Sequence, residues 1–211
     1  MSLPNQMSKK SILVLISGRG SNLENLIKAC NRPDYPAKII GVISDQPDAT
    51  GLNHAITANI PHFIITKQDT QNRAEYDQRL HNQFQTLAPD LILLAGFMRV
   101  LGAPLTTAWQ GKIINIHPSL LPKYKGLNTH QRVLDAGDKT HGCTVHYVND
   151  QLDGGQIIDQ MAFDIDPNDN ANDLARKCLG LEHQLYPKIL NHLCTVSTKH
   201  NTQENKEFEP I

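Results

Sequence analysis

The sequence predicts an α/β fold: a Rossmann-like, mostly parallel sheet flanked by helices, with an antiparallel C-terminal strand pair. Three observations carry that prediction. Short apolar runs alternate with helix-forming stretches through residue 96, the pattern of a parallel sheet with right-handed crossovers. The first run breaks at Ser17-Gly18-Arg19-Gly20-Ser21-Asn22 and passes directly into a helical period. Near the C-terminal end, two alternating segments face each other across a turn containing Asp153-Gly154-Gly155.

Each element has its own reason. Residues 11–16 (SILVLI) are apolar on both faces, as a buried parallel strand must be. Leu23, Leu26 and Ile27 recur at helical spacing, which predicts a helix over 21–30. A second strand follows at 37–44 and a second helix at 49–59, stopped by Pro61. A short third strand at 62–65 leads to a polar amphipathic helix at 72–87, ended before Pro89. Residues 90–96 (DLILLAG) form the most apolar strand and are expected at the sheet centre. The fifth strand is 112–116, ended by Pro118. Strands at 142–148 and 156–165 flank the 150–155 turn, and a long helix covers 171–194 with a bend expected near Pro187. The expected organisation is one domain over 8–196, a leader at 1–7, and a polar, aperiodic, disordered tail over 197–211.

Composition removes several classes of function. The chain of 211 residues carries 20 Lys+Arg against 21 Asp+Glu, so it lacks the basic excess of a nucleic-acid-coating protein. Its longest apolar run, 91–98, falls far short of the about 20 residues of a membrane span. The first ten residues lack a signal-peptide pattern, and a soluble cytoplasmic protein is expected, monomeric or homodimeric. Cys30, Cys143, Cys178 and Cys194 form no CxxC pair and are expected as buried, reduced thiols. His130, His141 and His146 match no common ligand spacing, so no metal is expected, and His146 reads as a structural strand residue.

Two motifs carry chemistry. The 18–22 loop joins a strand to a helix, where glycines let the backbone approach an anion and the helix start offers unpaired N–H groups. Ser21 is the expected cap. Leu23 stands where a dinucleotide fingerprint needs its third glycine, and no Gly-Lys-Ser/Thr follows as in a P-loop. A tight strand–helix turn with a good N-cap fits the same residues. Asn115 and His117 stand two apart on the fifth strand and leave the same face, at the carboxyl end where open α/β sheets bind ligands. An amide donor beside an imidazole suits a developing oxyanion. Asp153, in its glycine-rich turn, could reach that histidine, although Asp-Gly is also a plain turn signal.

The segments ISGRGSNL (16–23), LAGFMRV (94–100), NIHPSLLPKYKG (115–126) and the LDGG turn resemble the phosphoribosylglycinamide formyltransferases, folate-dependent enzymes of purine synthesis. The likeness runs from residue 12 to about 187. It implies the formyltransferase fold, 10-formyltetrahydrofolate as co-substrate, and formyl transfer to the amine of 5-phosphoribosylglycinamide. It also implies roles. Asn115, His117 and Asp153 would be catalytic. Gly20, Ser21, Asn22 and Glu182 would hold the ribonucleotide. Arg73, Met98, Arg99, Val100 and Leu101 would border the folate, and Asn149, Asp150, Gln151, Leu152 and Asp153 would complete its pocket with Asn115. Lys125 and Asn128 depart from the proline and histidine of the family pattern, which touches only local loop shape. The rivals are a formyl folate hydrolase, a methionyl-tRNA formyltransferase, and a non-catalytic binder; a chain of this length is expected to lack the extra domain of the first two.

Overall fold

The computed structural model describes residues 8–68 and 70–203. Strand β1 (Lys10–Ile16) is buried on both faces from Ile12 onward. Both edges are paired in parallel, with β2 (Ala37–Ser44) on one side and β4 (Leu91–Leu94) on the other. The remaining strands are β3 (His62–Ile64), β5 (Ile113–His117), β6 (Thr140–Tyr147) and β7 (Ile157–Asp164). The sheet order is β3-β2-β1-β4-β5-β6-β7, so the apolar β4 is the central strand, as its composition predicts. Strands β1 to β5 pair in parallel, while β5–β6 and β6–β7 are antiparallel. The chain winds outward from β1 to β3, then returns to β4 on the other side of β1. The strand order therefore reverses between β1 and β4, and a crevice opens beyond their carboxyl ends.

Both faces of the sheet are covered. Helices α1 (Ser21–Cys30), α2 (Leu52–Thr57) and α6 (Ala171–Gln203) enclose a core containing Ile12, Val14, Ile16, Leu23 and Leu185. Helices α3 (Arg73–Leu87) and α4 (Ala103–Ala108) enclose a second core with Leu13, Leu15, Tyr76, Leu80 and Phe84 on the opposite face. Alternate residues of β1 thus feed alternate cores. A short α5 (Thr129–Asp135) lies between β5 and β6. All four cysteines are free and buried. No helix among the described residues is long and apolar enough to cross a membrane.

Helix α6 contains Pro187, which has no N–H to give the His183 carbonyl one turn earlier. The Asn25 side-chain amide donates to that carbonyl instead, at 2.5 Å, so α1 repairs the gap and the helix continues. The chain remains helical to Gln203, where the sequence suggests a structureless tail from 197. Residues 204–211 of that tail, and the expected leader 1–7, lie outside the described residues. Other departures have local causes. Helix α2 spans only Leu52–Thr57, inside the expected 49–59, because Asn59 turns left-handed (φ 54°) and the Leu52 N–H bonds back three residues to Ala49. Helices α4 and α5 are too short to show a period in the sequence. The pairing of β5 with β6 also has no local signal.

Tyr186 of α6 is fully buried, and its hydroxyl shares its proton between the carbonyls of Ile114 (3.0 Å) and Leu94 (3.2 Å). It fastens the helix across the β4–β5 seam that carries the crevice. Tyr186→Phe should lower stability by about 1–2 kcal/mol, since a buried acceptor loses its donor. A shifted urea midpoint with an unchanged slope is the expected result.

Candidate active site

Gly20 caps α1 in the left-handed region (φ 72°), and the Glu24 N–H bonds its carbonyl at 2.8 Å. The cap is therefore the glycine and not Ser21, which is the first helical residue and makes no side-chain cap bond. Glycine is required twice over: beyond its φ, a Cβ here would lie 2.7 Å from the Cα of Gly51. Gly51 in turn donates to the Gly18 carbonyl at 3.0 Å, so the start of α2 braces the loop from behind. The loop leaves the first N–H groups of α1 without helix carbonyls to bond, and they carry the positive end of the helix dipole.

Asn22, on the first turn, is buried and donates its side-chain amide to Glu182 Oε2 at 2.7 Å. Its own Oδ1 has no protein partner. Glu182 is 8% exposed, and burial pushes its carboxyl pKa upward against the Asn22 and Cys178 hydrogen bonds that pull it down. A buried carboxyl and an unpartnered amide oxygen side by side are acceptors in search of hydroxyl or amine donors.

On β5, Ile114 and Ile116 enter the core while Asn115 and His117 face the crevice. His117 is 5% exposed. Its Nε2–H donates to the Tyr124 carbonyl at 3.0 Å, and its Nδ1 faces Asp153 Oδ2 at 3.4 Å. Both ring nitrogens thus face acceptors. Asp153 also accepts the Gly126 N–H at 2.8 Å and sits at φ 46°, a region that Asp tolerates better than most residues. Gly155 closes this turn because any Cβ there would strike the Tyr147 carbonyl.

The antiparallel register sets Asn115 opposite His146. His146 Nδ1–H donates to the Tyr147 carbonyl at 2.9 Å, which leaves Nε2 to accept the Asn115 amide N–H at 3.2 Å. Burial pushes the His146 pKa down and keeps the ring neutral, as an acceptor must be. His146 therefore fixes which way the Asn115 amide points and leaves its second N–H to the crevice. His146 Nε2 also lies 3.7 Å from Asp153 Oδ1. His146 is the buried strand residue its alternation predicts, and its alignment with Asn115 becomes visible only once β6 is paired with β5. His130 is a second addition to the crevice. It bonds His141 at 2.8 Å, and burial holds both pKa values down, that of His141 to about 4.

These groups line one cleft of about 640 Å³. Asn22, Glu182, Asn115, His117 and Asp153 all reach it, as do Met98, Arg99, Val100 and Leu101 on one wall and Asn149, Gln151 and Leu152 on another. Gly20 and Ser21 lie just outside the lining, and Asp150 is exposed on its turn. Arg73 is not brought to the cleft. It starts α3, 3.8 Å from Asp77, and borders a separate groove. Arg99 both lines the cleft and stacks on Tyr76, 3.9 Å from the ring centre. The loop around the departing positions Lys125 and Asn128 is locally strained: Asn128 and the neighbouring Tyr124 are left-handed at φ 57° and 56°, and Arg132 donates to the Lys125 carbonyl at 2.6 Å.

The formyl transferase family profile matches residues 10–190. The phosphoribosylglycinamide formyltransferase of Haemophilus influenzae is 47% identical over 181 residues, covering 86% of this chain and 85% of that one. The trifunctional purine biosynthetic protein adenosine-3 of Drosophila melanogaster is 44% identical over 184 residues, 86% of this chain but only 14% of that protein. The crystal structure of phosphoribosylglycinamide formyltransferase from Brucella melitensis superposes with a TM-score of 0.85 at 41% identity, over 89% of this chain and 96% of that one. The chain belongs to the formyl transferase family and is a formyltransferase enzyme.

Proposed function

We propose that this enzyme transfers the formyl group of 10-formyltetrahydrofolate to the amine of 5-phosphoribosylglycinamide. The observation that carries the reading is the arrangement of Asn115, His117 and Asp153 in a cleft that also exposes the Asn22–Glu182 pair. The α1 start would take the phosphate, with Gly20 and Ser21 supplying backbone approach and N–H groups. Asn22 Oδ1 and Glu182 would accept from the sugar or amine donors of the same substrate. The apolar side chains of Met98, Val100 and Leu152 are 65%, 49% and 51% exposed and would cover the flat folate ring.

The amine attacks the formyl carbon and a tetrahedral oxyanion develops. The free Asn115 N–H and a His117 N–H stabilise it, each donor of this kind contributing about 10²–10³ in kcat. His117 Nε2–H is held by the Tyr124 carbonyl, so substrate binding has to draw a donor away from its present acceptor. Asp153 keeps His117 oriented and relays the proton lost by the attacking amine toward the departing folate nitrogen. Holding both substrates in line supplies much of the remaining acceleration.

The direct test is turnover. Purified protein is mixed with 5-phosphoribosylglycinamide and the formyl folate, and folate absorbance is followed. Consumption that requires the ribonucleotide and disappears in His117→Ala is expected. Consumption without the ribonucleotide would make the protein a hydrolase, and none at all would make it a binder. Asp153→Asn should lower kcat by about 10²–10⁴ with little change in either KM, because it removes the base and not the substrate contacts. Near-normal turnover would end the proposed role.

Glu182 gives a pH-dependent prediction. Its folded pKa is raised above the ordinary 4.5, so the penalty of its buried charge is absent at lower pH and grows as pH rises through the raised value. Glu182→Gln should therefore be more stable than the parent at neutral and alkaline pH, with the advantage vanishing in acid. The same variant should bind the ribonucleotide about tenfold more weakly. Melting temperatures across pH and the ribonucleotide KM measure the two effects.

A further inference from the structure

The cleft wall at 97–102 has no regular secondary structure, yet it carries Met98 and Val100 outward, both well exposed. Phe97 and Leu101 are buried in the core behind it and fix its depth. Apolar packing is non-directional and cannot by itself set where the backbone N–H and carbonyl groups point. Three polar contacts do. The Met98 N–H donates to Ser17 Oγ at 2.8 Å, the Arg99 guanidinium lies on the ring of Tyr76, and the Gly102 N–H donates to Asp77 Oδ2 at 2.9 Å.

Two of those contacts come from adjacent residues of α3, Tyr76 and Asp77, neither of which lines the cleft. Asp77 is 8% exposed, and its other oxygen, Oδ1, is buried without a partner. Burying a carboxylate with one oxygen unused is unfavourable, and Arg73 compensates only from 3.8 Å across a half-open surface. Gly102 is shaped to this contact, since any Cβ there would collide with Asp77 Oδ2. The same glycine caps α4, where its carbonyl receives the Thr106 N–H at 3.0 Å. One carboxylate thus holds the point at which the wall ends and the helix begins.

We infer that Asp77 is a positioning residue for the folate side of the reaction: it clamps the 97–102 wall through Gly102 and sets the register of the backbone that faces the co-substrate. The inference rests on the proposed folate reading for its ligand, but not for its mechanics. Asp77→Ala should raise the KM for the formyl folate about tenfold, the loss of one hydrogen bond to a charged group, and leave kcat and the ribonucleotide KM within about threefold. Asp77→Asn retains an oxygen acceptor for the Gly102 N–H and should restore the folate KM to within about threefold of the parent. Gly102→Ala, which disturbs the contact from the other side, should reproduce the Asp77→Ala split.

Amide hydrogen exchange at 97–102 provides a readout that needs no substrate. Exchange should quicken there in Asp77→Ala and remain slow in Asp77→Asn, with the sheet core unchanged in both. Equal rises in both KM values, no rescue by Asn, or unchanged exchange at 97–102 would overturn the clamp. If the parent enzyme consumed no formyl folate, the proposed function would fail, and the exchange measurement would still decide the clamp by itself.

Discussion

The Asp153 carboxylate joins three segments that are distant in the chain. One oxygen accepts the Gly126 N–H from the loop after β5 and faces His117 at the end of β5, while the other faces His146 on β6. The cleft is bounded by those same segments, so its shape depends on one group. The turn that carries Asp153 accepts a left-handed residue and a glycine pressed against β6 to put it there. Backbone in sparsely populated conformations is retained where surrounding structure over-determines it, and here the surroundings are the site itself.

Around that carboxylate two histidines are held in different roles. His146 gives its one proton to a backbone carbonyl and serves as an acceptor, which orients Asn115. His117 faces acceptors on both sides. The hydrogen-bond partners around each ring thus assign one an acceptor's duty and the other a donor's. At Glu182 the same economy works against stability: a buried carboxyl, pushed toward its neutral form, faces an amide with an unused oxygen. Such unmet polar groups reduce stability in the free protein and become useful when a ligand supplies their partners.

Much of this was legible in the sequence because it depends on local periods. The two-residue step from Asn115 to His117 puts both on one face whatever the neighbours are, and the apolar run 91–94 could only be central. The glycine loop before α1 announced a close backbone approach, though the approaching partner, Gly51, is a long-range contact with no local trace, and the cap fell on Gly20 instead of Ser21. The role of His146 was hidden for the same reason: it exists only through the β5–β6 register. Arg73 was carried over from family likeness, and its side chain instead sits by Asp77 at the start of α3, away from the cleft. The continuation of α6 past Pro187 required knowing that Asn25 would supply the missing donor.

In the proposed mechanism His117 and Asp153 work together. A double-mutant cycle on the single-turnover rate constant tests it, with His117→Ala, Asp153→Asn and the pair compared at saturating substrates. The double variant should be less impaired than the product of the two single losses, because Asp153 holds His117 in place as well as relaying the proton, so part of each loss is shared. Losses that multiply would show two independent residues and no coupling through orientation.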